Sequence, residues 1–168
     1  MDFILDYVEE TTYWSILFTC HALLAVTLLG ALTHQALSVL APVRRTAGSA
    51  SFVERFRGVY SPAYATTVCV LWVIAFIFGA WIYTKYRIYI RIPIEEMGYW
   101  KTQGFFEMKE HLATIALGLL PAYWYFWKNA RRAEFDSVRK GLTVTLAGMC
   151  WAIFLIGHTV NNVRGFGS

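Results

Sequence analysis

All four histidines of this chain fall within long apolar stretches, and three of them, His21, His111 and His158, come from three different stretches. An ionisable side chain inside a membrane span is costly to bury and marks a functional site by default. With a helix rise of about 1.5 Å per residue, each of these histidines lies roughly 10 Å from the midpoint of its stretch, toward the same side of the membrane. Three imidazoles from separate helices at one depth predict a shared ligand.

A b-type haem is the ligand that this pattern favours. In a helix bundle, the two axial imidazoles of a six-coordinate haem come from different helices at one depth. We expect His158 to provide one of them, paired with His21 or with His111, while the third histidine bonds to a propionate or lines a quinone pocket. Arg87 and Arg91 lie on the same side of the membrane and are candidates to hold the propionates.

A non-haem metal site is the first alternative. Glu107 lies four residues before His111 and therefore on the same helix face, where it could relay protons or help hold a metal. Together with His21, His111 and His158 it could bind zinc, copper or non-haem iron. A cofactor-free accessory subunit of a larger membrane complex is the second alternative, and it predicts that replacing the histidines affects stability alone.

The fourth histidine, His34, follows His21 by 13 residues, or about 20 Å along a helix axis. That distance is similar to the separation of two haems stacked through a bilayer. No other apolar stretch carries a histidine at this inner level, so a hydrogen bond with Gln35 is the expected role. The sequence therefore predicts one haem.

The elements that must position these histidines are four apolar stretches, at about 13–40, 61–83, 108–127 and 141–161. Each reaches the roughly 20 residues that a helix needs to cross a bilayer. Apolar residues make up 57% of the chain and its mean hydropathy is positive, as in membrane proteins. We therefore predict an all-α, integral membrane four-helix up-down bundle, in a single domain 1–168 with an outer interfacial loop at 85–107.

The distribution of basic residues predicts which side faces the cytoplasm. The connections 41–60 and 128–140 contain nine lysines and arginines, against six on the opposite side. The positive-inside rule places these connections in the cytoplasm and both termini on the outer, periplasmic side. The net charge of +4 is thus a topology signal and indicates no nucleic-acid partner. We expect a multi-pass protein of a bacterial inner (plasma) membrane, in contact with its lipids.

The N-terminus, 1–10, is acidic, whereas a cleavable signal peptide begins with basic residues, so we expect the first span to remain in the mature protein.

With four apolar stretches and histidines near their outer ends, the chain resembles in a general way the small four-helix membrane cytochromes b of bacterial respiratory complexes. It departs from their two-haem pattern of paired histidines on each of two helices, which favours a single haem near the outside. The resemblance implies an electron-transfer subunit of an oxidoreductase, rather than a self-contained enzyme. Such a subunit would assemble with other subunits and exchange electrons with quinone or a periplasmic partner.

Overall fold

The computed structural model describes residues 9–41, 59, 61–129 and 132–163, and the regular elements within them are all helical. The α-helices have the following bounds: α1 Glu10–Leu40, α2 Pro62–Lys85, α3 Arg91–Glu96, α4 Trp100–Lys128 and α5 Asp136–Val163. A π-helical turn, Tyr86–Ile90, joins α2 to α3, and a 3-10 turn, Ala133–Phe135, precedes α5. The prediction of an all-α four-helix bundle is confirmed. Most of the 41–60 connection and its arginines lie outside the described residues.

Three of the described helical stretches are long and apolar enough to cross a membrane: Glu10–Leu40, Pro62–Glu96 and Ala133–Asn162. The predicted span 108–127 lies within α4, which is not among the three. Its length, about 44 Å, would suffice, but charged residues in its first half and tyrosines and tryptophans in its second half lower its mean hydropathy. The chain therefore has the character of a multi-pass membrane protein. One of the four long helices of its bundle, α4, is less apolar than the other three.

The segment 85–107, predicted as a loop, is largely helical. The π-helical turn and α3 continue directly from α2, and the chain then turns at Gly98, which has a positive φ of 77°. Helical geometry places Tyr86, Ile90 and Ile94 on one face, because they are four residues apart, and all three are buried there. Burial of this apolar face explains why the segment is helical and packs on the bundle.

The four long helices form a ring in the order α1, α2, α4, α5, and each packs against the two beside it. The Tyr64 hydroxyl, at the start of α2, donates a hydrogen bond of 2.9 Å to the carbonyl of Ala31, late in α1. Toward the other end of the bundle, His21 of α1 contacts Gly79 of α2. These two contacts show that α1 and α2 run in opposite directions.

Each long helix contributes fully buried apolar residues to the core, among them Leu32, Val68, Ala116 and Leu146. Two pairs of buried polar groups in this region join neighbouring helices, as burial of polar atoms favours. The Tyr123 hydroxyl donates to Gln35 Oε1, and Trp127 Nε1 donates to Thr143 Oγ1 at 3.0 Å. These pairs lie at the end of the bundle where α1 ends and α2 begins, whereas the two cavities described below lie toward the other end.

Candidate functional site

His21 packs against the backbone of α2, where Gly79 leaves room for its imidazole. A Cβ atom added to Gly79 would lie 3.2 Å from His21 Cε1, closer than an ordinary carbon–carbon contact. The backbone of Ala75, one turn before Gly79, also lies close to the ring. His21 Nδ1 is buried and has no hydrogen-bond partner in the part of the chain that the structure describes. Because buried nitrogens are almost always paired, this atom marks a place where a ligand would be accommodated.

A cavity of about 310 Å³ lies beside His21 and is bounded by all four long helices. His158 of α5 lines the same cavity, so the two histidines face one space from neighbouring helices. Most of its wall is apolar, and Lys109 and Asn161 add further polar groups. A largely apolar cavity with a few convergent polar groups, at the lower end of the ~300–1,000 Å³ range, is typical of ligand and cofactor sites.

Two neighbours one helical turn away set the orientation of His158. Its ring lies nearly parallel to that of Phe154, at a centroid distance of 6.4 Å and an angle of 4°. Its Nε2 atom lies 3.2 Å from Asn162 Nδ2. The amide of Asn162 can only donate at this nitrogen, so Nε2 is the acceptor and the contact holds the orientation of the ring.

A smaller cavity of about 90 Å³ adjoins the first and extends toward Trp72 and the thiol of Cys150. His21, Gly79 and Lys109 line both cavities. The side chains of His21 and Lys109 therefore stand at the boundary between the two spaces, and a movement of either would change the shape of both.

Lys109 is the cation of the site. Its side chain is only 16% exposed, and its Nζ lies 4.2 Å from the centre of the Phe106 ring and 3.0 Å from Glu110 Oε1. Its Cδ would lie 3.6 Å from a Cβ atom added to Gly157, an ordinary contact distance. An ammonium group held in this way can bind an anionic group of a ligand, because charge-assisted hydrogen bonds are strong at sites with little water.

One wall of the larger cavity is aromatic. The rings of Tyr86 and Phe106 are stacked with centroids 3.5 Å apart and planes 8° apart. Tyr83 stacks near Phe106 at 5.9 Å and 12°. Parallel rings offer a flat apolar surface, which suits a planar aromatic ligand.

No protein-family model, curated protein or solved structure matches this chain.

The structure brings His21 and His158 together and leaves the other two histidines apart. His111 is exposed and lines neither cavity, although its neighbour Glu110 lines the smaller one. Its level along the bundle is thus close to that of His21, but its side chain points away from the cavities. His34 is half-buried and lines neither cavity.

The predicted propionate partners and Glu107 also lie outside the two cavities. Arg87 is exposed. Arg91 Nε pairs with Glu95 at 2.7 Å, and Arg91 Nη1 lies 3.8 Å from Glu107 Oε1. Glu107 also accepts a hydrogen bond of 3.0 Å from Gln103 Nε2. Arg91, Glu95, Gln103 and Glu107 form a polar cluster on the 85–107 segment, next to the cavity wall.

Across residues 9–41, 61–129 and 132–163, no group of three or more histidine, cysteine, aspartate or glutamate side chains could hold a metal ion. The non-haem site of His21, His111, His158 and Glu107 is therefore not assembled. A haem does not require such a group, because the porphyrin itself supplies four of the six iron ligands and the protein supplies two.

Sequence reasoning did not identify Gly79 or Gln103, and it did not single out Lys109. Gly79 follows a run of large apolar residues, and a small residue of this kind signals close packing between membrane helices. Gln103 precedes Glu107 by four residues, so the two share a helix face. These signals indicate a contact without indicating the partner.

Proposed function

We propose that this chain is a multi-pass membrane electron-transfer protein that binds one b-type haem between His21 and His158. The observation that carries the proposal is that these two histidines, from neighbouring helices, line one largely apolar cavity. The buried and unpartnered Nδ1 of His21 supports it, because a ligand would satisfy that atom. When bound, a bis-imidazole haem supplies reversible one-electron transfer.

Each side chain has a distinct role in this proposal. His21 and His158 would hold the haem iron, and Asn162 keeps the His158 ring oriented. The apolar wall excludes water. Lys109 is the cation placed to hold a propionate, in exchange for part of its pairing with Glu110. Lys109 lines the cavity, whereas the predicted anchors Arg87 and Arg91 do not.

We further propose that the bundle sits in a bacterial inner membrane with both termini on the outer, periplasmic side. The three apolar helical stretches support insertion, and the nine basic residues of the connections 41–60 and 128–140 support this orientation. The cavity then lies toward the outer face. The chain would exchange electrons there with quinone or a periplasmic partner, as a subunit of a larger redox complex. The general resemblance to four-helix membrane cytochromes b agrees with this proposal.

The test is a dithionite-reduced minus oxidised absorbance spectrum of the detergent-purified protein, with a pyridine haemochrome assay for stoichiometry. We expect a b-type spectrum at one haem per chain. His21→Ala and His158→Ala should each abolish the six-coordinate spectrum. His111→Ala is the matched control, because it removes an imidazole at a similar level outside the cavity, and it should retain the full spectrum.

Two results would contradict the proposal. A helical, monodisperse protein that stays colourless after expression with ample haem would indicate a cofactor-free accessory subunit instead. A variant with His158→Ala that keeps the complete six-coordinate spectrum would show that the axial pair is a different one.

A further inference from the structure

A chain of hydrogen bonds runs from the cavity wall to the exterior of the bundle. Tyr86 lines the larger cavity and is 2% exposed, and its hydroxyl donates to Gln103 Oε1 at 2.7 Å. Gln103, also buried, donates from Nε2 to Glu107 Oε1 at 3.0 Å. The side chain of Glu107 is 46% exposed. The chain therefore connects a buried phenol at the cavity to a carboxylate that can exchange protons with the surroundings.

The direction of donation along this chain follows from the charge of Glu107. An ionised carboxylate only accepts hydrogen bonds, so it orients the Gln103 amide with its N–H groups toward Glu107 and its oxygen toward Tyr86. The hydroxyl of Tyr86 must then donate to that oxygen. In this state the Tyr86 proton is committed to Gln103 and is turned away from any partner in the cavity.

We propose that Glu107 is a proton-binding site coupled to the cavity through Gln103 and Tyr86. A protonated carboxyl becomes a donor, so Glu107 would donate its O–H to Gln103 Oε1 after the amide turns over. Gln103 Nε2 would then donate to the Tyr86 oxygen, and the Tyr86 O–H becomes free for a partner at the cavity. No proton crosses the amide: one proton binds at Glu107, and the hydrogen bonds reverse.

Several charged and titratable groups lie around this chain of hydrogen bonds. Arg91 of α3 lies 3.8 Å from Glu107, and Glu95, also of α3, takes the closer contact with Arg91 at 2.7 Å. Tyr83 and Arg91 also act electrostatically on Tyr86. Since Arg91 keeps Glu95 as its partner, protonation of Glu107 would break one weak, partly exposed ion pair. Glu107 can thus be protonated without leaving Arg91 unpaired, because Glu95 remains its partner.

Isotope-edited infrared difference spectroscopy tests this coupling on the full-length protein in detergent, without any cofactor. Tyrosine labelled with ¹³C at the phenolic carbon reports whether its hydroxyl donates or accepts, and subtraction of Tyr86→Phe isolates the Tyr86 band. Between about pH 8 and pH 3, which brackets carboxylate titration, the Tyr86 band should shift from its donor to its acceptor position. Glu107→Gln should abolish the shift.

Two further variants make the test specific. Gln103→Leu interrupts the chain at its middle, so the Tyr86 band should stop responding to pH while the carboxyl band of Glu107 still titrates. Glu96→Gln removes an exposed carboxylate of α3 and should leave the Tyr86 shift intact. A Tyr86 band that does not move in the wild-type protein, or that still moves in Glu107→Gln, would overturn the inference. Because no haem is needed, this result and the haem assay succeed or fail independently.

Discussion

Adding one methyl group at Gly79 tests whether His21 is held where the structure places it. In Gly79→Ala the new Cβ would lie 3.2 Å from His21 Cε1, whereas carbon atoms pack best at about 3.5–4.0 Å. The imidazole must therefore retreat by roughly 0.3–0.8 Å. Forcing an extra methyl group into a packed site typically costs about 1–3 kcal/mol, and the lower end of that range applies here because the retreat is short.

The change in the free energy of unfolding caused by Gly79→Ala is best compared with the change at a second helical glycine that has no close neighbour. Alanine is favoured over glycine inside a helix by roughly 0.5–1 kcal/mol. Gly148 of α5 should show this gain in full, because a Cβ atom there meets nothing within 4 Å. At Gly79 the displacement of His21 offsets the same gain. We expect the free energy of unfolding of Gly79→Ala to be lower than that of Gly148→Ala by about 1 kcal/mol.

The assay is reversible unfolding in mixed detergent micelles, monitored by circular dichroism, for both variants and for each of them combined with His21→Ala. Removing the imidazole removes the clash, so Gly79→Ala should recover the full glycine-to-alanine gain in that background. Gly148→Ala should behave identically in both backgrounds, since distant sites are additive. Equal gains at Gly79 and Gly148 in the wild-type background would refute the proposed contact, and so would a deficit at Gly79 that persists without His21.

Three further predictions concern buried polar groups. Lys109→Met should lower haem affinity by about 10- to 100-fold in a haem titration, because it removes a charge-assisted hydrogen bond of roughly 1.5–3 kcal/mol; unchanged affinity would exclude Lys109 as the propionate partner. Tyr123→Phe should lower the free energy of unfolding by about 1–3 kcal/mol, since it leaves Gln35 Oε1 buried without its donor; a neutral result would show that the amide finds another partner. Arg139→Met should cost about 1.5–3 kcal/mol in the same assay, because Arg139 is 1% exposed and pairs with Asp136; the effect should disappear in an Asp136→Asn background if the ion pair is its source.

The apolar stretches of the sequence were sufficient to predict the helical class and the four long helices, but they gave the wrong structure for 85–107. The density of aromatic and β-branched residues there suggested an interfacial loop. The helical alternative was available in the spacing of Tyr86, Ile90 and Ile94, which repeats every four residues. The sequence did not show which surface buries that helix face, because this surface forms only when the helices of the bundle pack together.

At the candidate site, the sequence predicted the level of each histidine along the bundle but not the direction in which its side chain points. The helix rise predicted that His21, His111 and His158 lie at one level along the bundle. The structure agrees for His111, because its neighbour Glu110 lines a cavity together with His21. Rise along the axis says nothing about rotation around it, however. Whether a side chain at the right level faces the cavity depends on how each helix is turned against its neighbours, and that rotation separates His158 from His111.

Some of the charged residues that lower the mean hydropathy of α4 lie beside the candidate site. Glu107, Lys109 and Glu110 lie within one turn of α4, at the cavity end of the bundle, and charges inside a membrane are retained where they serve a function. A helix that supplies the ionic groups of a site cannot be as apolar as helices that only have to face lipid. These charges, together with the tyrosines and tryptophans of its second half, make α4 less apolar than the three helical stretches that could span a membrane. It follows that α4 depends more than its neighbours on the assembled bundle for its place in the membrane, because packing against α2 and α5 removes part of its polar surface from lipid.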